Sequence, residues 1–256
     1  MLRTALAVAS ALVALAFGLS TFERYLLRRS RQYAAWTAAL GLFVLGALAL
    51  AWGSELGWSS MSFRLFYAAG AVANVPLLAA GQVYLLARKR TADVVFALTA
   101  VVVSVAFGVV LADPFTAKLP VDRLPKGDEV FRLGPRIMAA VGSGGGATVL
   151  VIGTVIGIIR IARSPTAVPG AGRRTIGLAL LSVGTFVLSA SGLFNSVLGE
   201  MSAFAVTLMI GIAILFAGFL LSTGNPRTNA SFQPGRVEDL GDPQGAPDQL
   251  AAKTVR

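Results

Sequence analysis

The sequence predicts an all-α, polytopic membrane protein of seven transmembrane helices, with the N-terminus outside and the C-terminus inside. Three observations carry that prediction. Seven apolar runs fill most of the 256 residues, and each reaches the ~20 residues that cross a hydrocarbon layer of roughly 30 Å. Hydrophobic residues make up 55% of the chain and charged ones 13%, against about 25% charged in soluble domains. Basic side chains gather in alternate connections, as the positive-inside rule requires.

Span one covers about 4–22. Arg3 alone precedes it, whereas Arg24, Arg28, Arg29 and Arg31 follow. A secretory signal carries its charge ahead of the apolar run, so this segment reads as an uncleaved helix that enters from outside. Span two covers about 33–52, with Tyr33 and Trp36 at one end and Trp52 and Trp58 at or just past the other, as interfacial aromatics.

A short outer turn leads to span three, about 64–87, inside the stretch FRLFYAAGAVANVPLLAAGQVYLLARKR. Pro76 has no N–H and crowds the carbonyl of Val72, which in lipid must find a partner on a neighbouring helix, a side chain or a water. At 100° per residue, Tyr67, Gly70, Asn74, Leu78, Gly81 and Leu85 share one face. Small and polar residues on one stripe suit a helix–helix contact in a bilayer. The plain reading is a packing face with a tolerated kink; the sharper one is a kinked helix lining a cavity. Arg88, Lys89 and Arg90 close the span on the inner side.

Span four covers about 94–111. From 112 to 135 the apolar pattern breaks into mixed charges and Pro114, Pro120, Pro125 and Pro135. Connections of this length are functional or disordered, so this outer loop is the expected point of contact with something outside. Span five, about 136–161, contains Gly142-Ser143-Gly144-Gly145-Gly146 with no following Gly-Lys-Ser/Thr, which argues against a phosphate loop. Gly142, Gly146, Gly153 and Gly157 lie on one face as small-xxx-small pairs, a surface for close helix approach or, alternatively, a hinge.

Span six, about 175–194, carries the stripe Ser182, Thr185, Ser189, Gly192 and Ser196. Span seven, about 202–221, sets Thr207, Gly211 and Gly218 on one face. The 223–256 tail, rich in Gly, Pro, Asp and Gln, is expected to be disordered and cytoplasmic.

Function classes are narrowed mainly by absences. The net charge of +10 sits in the connections between spans, so it implies membrane orientation and no nucleic-acid partner. The chain has no cysteine and no histidine, which removes disulfides, thiol catalysis, histidine metal sites and the usual general base. No ionic residue lies mid-span, which argues against a proton path, and the last span has no lysine for a retinal Schiff base. No catalytic residue, cofactor or metal site is expected. The candidate cavity or packing residues are Asn74, Pro76, Gln82, Gly142, Ser143, Gly146 and Ser189. The expected function is non-enzymatic transport or binding of a neutral small molecule or lipid through the bundle. The alternatives are a scaffold or accessory subunit of a larger membrane complex, or a membrane sensor. Membrane lipids and a second copy or complex partner are the expected associates.

Spans one to three and five to seven repeat one layout around span four. It resembles that of the small sugar transporters and related seven-helix carriers, whose Pro-Gln pair is missing from the spans here. The segments FYAAGAVANVPLLAAGQVYLLA and EMSAFAVTLMIGIAILFAGFL, with 18 arginines against 4 lysines, resemble an uncharacterised seven-helix membrane protein family of high-GC Gram-positive bacteria. That resemblance implies a bacterial cytoplasmic membrane and no particular activity.

Overall fold

The computed structural model describes residues 2–120, 123–163, 171–198 and 201–223, and among them every regular element is helical. In chain order these are α1 (Leu2–Arg28), α2 (Arg31–Leu56), α3 (Ser60–Leu86), α4 (Lys89–Ala112), the short α5 (Gly127–Val130), α6, α7 (Ala171–Leu198) and α8 (Met201–Thr223). Helix α6 is built from Leu133–Ala139, a π-helical Ala140–Gly145 and Gly146–Arg163.

Six of these helices are long and apolar enough to cross a membrane, the make-up of a multi-pass membrane protein. The seventh expected span falls on α7, whose apolar stretch among the described residues is the shorter Thr175–Leu188. The 224–256 part of the expected tail lies outside the described residues. The observed helices overrun the expected spans because a helix continues past its last apolar residue: α1 reaches Arg28 and α2 reaches Leu56.

The outward surface is apolar. Leu12 and Leu19 on α1, Leu98 and Val101 on α4 and Ile152 on α6 are all more than half exposed. In water such a surface is a liability; in hydrocarbon it is simply the face turned to the solvent. Helix α4 is the extreme case, burying only Ala92, Ala106 and Val110.

Inside, α3 packs between α2 and α6, α1 runs along α2 and α8, and α8 packs mainly on α7. The α7–α8 contact is a glycine zipper at a spacing of seven. A Cβ on Gly177 would lie 2.7 Å from the carbonyl oxygen of Gly218, and one on Gly184 would lie 3.0 Å from that of Gly211. Backbones this close replace the hydrophobic drive that lipid does not supply. Gly211 and Gly218 thus use the face that the sequence predicts for them.

The aromatics expected at the interfaces divide. Trp52 is 63% exposed, as a belt residue would be. Tyr33 is buried and Trp36 is turned into the bundle, where its Nε1–H donates to the carbonyl of Leu78 at 3.0 Å. The indole lies against Gly81, where any Cβ would collide with it, so the glycine on α3 is what admits the tryptophan from α2.

The described part of the 112–135 loop is folded against the neighbouring ends of α3 and α4. Leu124, Val130 and Phe131 are at most 3% exposed, and the amide of Thr116 donates to the carbonyl of Val130 at 2.9 Å. Phe131 stacks on Phe63 with ring centroids 5.4 Å apart and also meets Tyr67 and Phe115. Arg64 ties this cap down. Its guanidinium donates to the carbonyls of Val110, Leu111 and Asp113 and lies 4.4 Å from the Phe115 ring centroid. Those carbonyls end α4, where no intrahelical donor remains.

Candidate functional site on the third and sixth helices

The helix departs from α geometry before the Pro76 ring is reached. Residues Tyr67–Ala73 form a π-helical segment, and the amide of Asn74 donates back to the carbonyl of Ala69. A missing N–H at 76 loosens the hydrogen-bond ladder before it, and a π segment takes up the slack. Facing it across the α3–α6 contact is the second π segment, Ala140–Gly145, in the glycine run.

The second π segment covers backbone that the first leaves open. Gly142 lies against the carbonyl of Val72, the group that Pro76 leaves without its usual donor, and a Cβ there would collide with it. The hydroxyl of Ser143 donates to the neighbouring carbonyl of Ala71. A Cβ on Gly146 would lie 2.9 Å from the nitrogen of Pro76, and one on Gly153 would lie 2.7 Å from Nε2 of Gln82. So Gly142, Gly146 and Gly153 all face α3, while Gly157 faces Leu178 of α7. Removing the hydroxyl tests the arrangement. Ser143→Ala is expected to lower stability by about 1–3 kcal/mol, the usual cost of one buried acceptor left without a donor, measured as detergent-solubilised unfolding.

Of the stripe predicted as one face of α3, Gly70, Leu78 and Gly81 meet α2, at Gly46 and Trp36, and Leu85 is half exposed; Val72, Pro76 and Gln82, outside that stripe, meet α6. The π segment widens one turn and so rotates the residues before it relative to those after it. Asn74, 4% exposed, sits at the junction, and its amide oxygen has no hydrogen-bond partner among the described residues.

Further along the same seam the helices stand apart around a partly open cavity of about 40 Å³. Its apolar wall includes Phe17, Trp36, Leu78, Leu215 and Phe219, from α1, α2, α3 and α8. Its polar groups are Gln82 on α3, Thr154 on α6 and Thr185 on α7. The Thr154 hydroxyl donates to the carbonyl of Leu150 at 2.8 Å, so its oxygen accepts from Nε2 of Gln82 at 3.1 Å. That amide nitrogen also donates to the carbonyl of Leu150 at 3.2 Å. With both donors used on one side, the Gln82 carbonyl oxygen is left to accept. Thr185 donates to the carbonyl of Leu181 at 2.8 Å. Among the described residues no ionisable side chain lines the space.

The structure therefore gathers Pro76, Gln82, Gly142, Ser143 and Gly146 along one α3–α6 seam, while Asn74 is buried on α3. Ser189 lies on α7, and its side chain is outside the described residues. Sequence reasoning passed over Thr154 and Trp36. A signal for Thr154 existed, since it is a hydroxyl beside a face glycine in an otherwise apolar run; for Trp36 an end-of-span position pointed to the interface instead.

At the opposite end of these helices from the Arg64 cap, Asp93 accepts from Arg31 at 2.6 Å and from the Tyr84 hydroxyl at 2.9 Å, joining α2, α3 and α4. Among the described residues no three acidic side chains come together as a metal site. Comparison of the chain with protein-family models, curated proteins and solved structures finds no match.

Proposed function

We propose that this chain is a seven-span protein of a bacterial cytoplasmic membrane, N-terminus outside and C-terminus inside, that binds the apolar part of a lipid or a neutral small molecule within its bundle, without catalysing a reaction on it. The observation that carries this reading is the cavity: apolar walls from several helices, one amide and two hydroxyls, and no charge. At roughly 10–15 Å³ for each water-sized sphere, the space of about 40 Å³ holds a short run of chain. The orientation is supported by Arg24, Arg28, Arg29, Arg31 and Arg88–Arg90 lying at the helix ends and turns opposite the Arg64 cap. The subunit reading loses ground because Gly142, Gly146, Gly153, Gly177, Gly184, Gly211 and Gly218 are all occupied by helices of this same chain.

Filling the cavity tests the proposal. Thr185→Phe is expected to cut the lipid or apolar mass retained by the full chain in native mass spectrometry at least tenfold. Retention equal to the unaltered protein, in a variant that unfolds at the same temperature, would overturn it. Leu181→Phe, from another position on the same wall, repeats the measurement should the first variant fold poorly.

A further inference from the structure

We infer that the occupant of this cavity is part of one chain of an anionic phospholipid, with its phosphate held at the cavity mouth by Arg24 and Arg160. This deepens the binding reading above and rests on it. Gln82 and Phe219 lie within about a turn of the ends of α3 and α8, at Leu86 and Thr223. The cavity is thus placed toward the end of the bundle where the basic connections lie.

Of the cations at that end, two adjoin groups beside the cavity. The Arg24 guanidinium, on α1, sits 5.2 Å from the centroid of Phe219, a cavity wall. It is half-buried and has no carboxylate partner among the described residues. Arg160, on α6, donates to the carbonyl of Leu86 at 3.3 Å, one turn beyond Gln82, and likewise has no ion pair there. The described acids near this end do not neutralise them. Asp93 is engaged by Arg31 and Tyr84, and Glu23 is exposed, pointing about 100° away from Arg24 around α1.

A cavity with no charged lining, beneath guanidinium groups that have no ion pair, both among the described residues, is complementary to an amphiphile with an apolar chain and a negative head. Guanidinium forks hold phosphate oxygens two at a time, and basic positions between helices on the inner side are where anionic headgroups dock. A free phosphate ion would use the cations and leave the cavity unused, so the two sources make different predictions.

The test uses delipidated full-length protein in neutral detergent, titrated with dioleoyl phosphatidylglycerol or dioleoyl phosphatidylcholine and read by native mass spectrometry. The anionic lipid is expected to be retained at one per chain, at least tenfold over the zwitterionic one with the same chains. Arg24→Gln with Arg160→Gln should erase that preference, and Arg24→Lys with Arg160→Lys should restore most of it, which separates lost charge from lost fold. Glycerol phosphate, which has the head without chains, should not displace the lipid. Equal retention of both lipids, or a preference that survives the double glutamine variant, would overturn the headgroup assignment. Displacement by glycerol phosphate would overturn the lipid as its source. A headgroup preference that is absent while Thr185→Phe still lowers retention would sink this inference alone; retention indifferent to Thr185→Phe would sink the cavity reading beneath it.

Discussion

Gly142→Ala is expected to destabilise the bundle by about 3 kcal/mol, the upper end of the usual cost of overpacking, although it adds a single methyl group. The methyl would meet the carbonyl oxygen of Val72, which is backbone and has no rotamer to escape into. Relief requires α3 and α6 to separate, and that also withdraws the Ser143 hydroxyl from Ala71. Gly144→Ala, two residues on, makes the contrast. A Cβ there meets nothing within 4 Å, so the change is expected to be neutral or to stabilise by up to about 1 kcal/mol, the ordinary gain from removing a helical glycine. Far-UV circular dichroism during thermal unfolding in one detergent measures both. Equal responses at the two positions would mean that the approach of Gly142 to Val72 does not hold the α3–α6 seam together.

Arg64→Met is expected to release the loop cap. The guanidinium serves three carbonyls at the end of α4 and stacks on Phe115. Hydrogen bonds from a charged donor contribute about 1.5–3 kcal/mol each, and because these share one side chain their loss amounts to about 3 kcal/mol in total. The effect should be local. Amide hydrogens of residues 113–132 should exchange faster, and a protease should cut there, while α7 and α8 keep their protection. Arg64→Lys should recover only part, since an ammonium cannot fork across three acceptors. Unchanged exchange in the cap would show that its aromatic contacts, centred on Phe63 and Phe131, hold it without the arginine.

These two sites also mark where the sequence was legible and where it was not. The need to cover the Val72 carbonyl follows from Pro76 and the chemistry of lipid alone, and the glycine face of α6 is visible as a spacing. That these two features meet could not be read, because spacing describes one helix and a contact needs two. Asn74 shows the same limit. Its polarity is evident in the sequence, but the π segment before it rotates the helix by an amount that no periodicity of 3.6 contains. The 112–135 loop looks irregular in the sequence for a related reason. Its prolines and mixed charges hide Leu124, Val130 and Phe131, three apolar residues too scattered to form a run, which the fold brings together beside Phe63.

Composition and order of residues were enough to establish a set of apolar helices with basic residues in alternate connections. The cost of an unpaired peptide group or a charge in hydrocarbon is local to each segment, so each segment answers for itself. Which helices touch, that Trp36 turns inward over Gly81, and that Gln82, Thr154 and Thr185 surround one space were settled only by packing in three dimensions. Those outcomes depend on close approach between helices, where a single methyl group at one glycine is enough to forbid a contact that the pattern of either helix would allow.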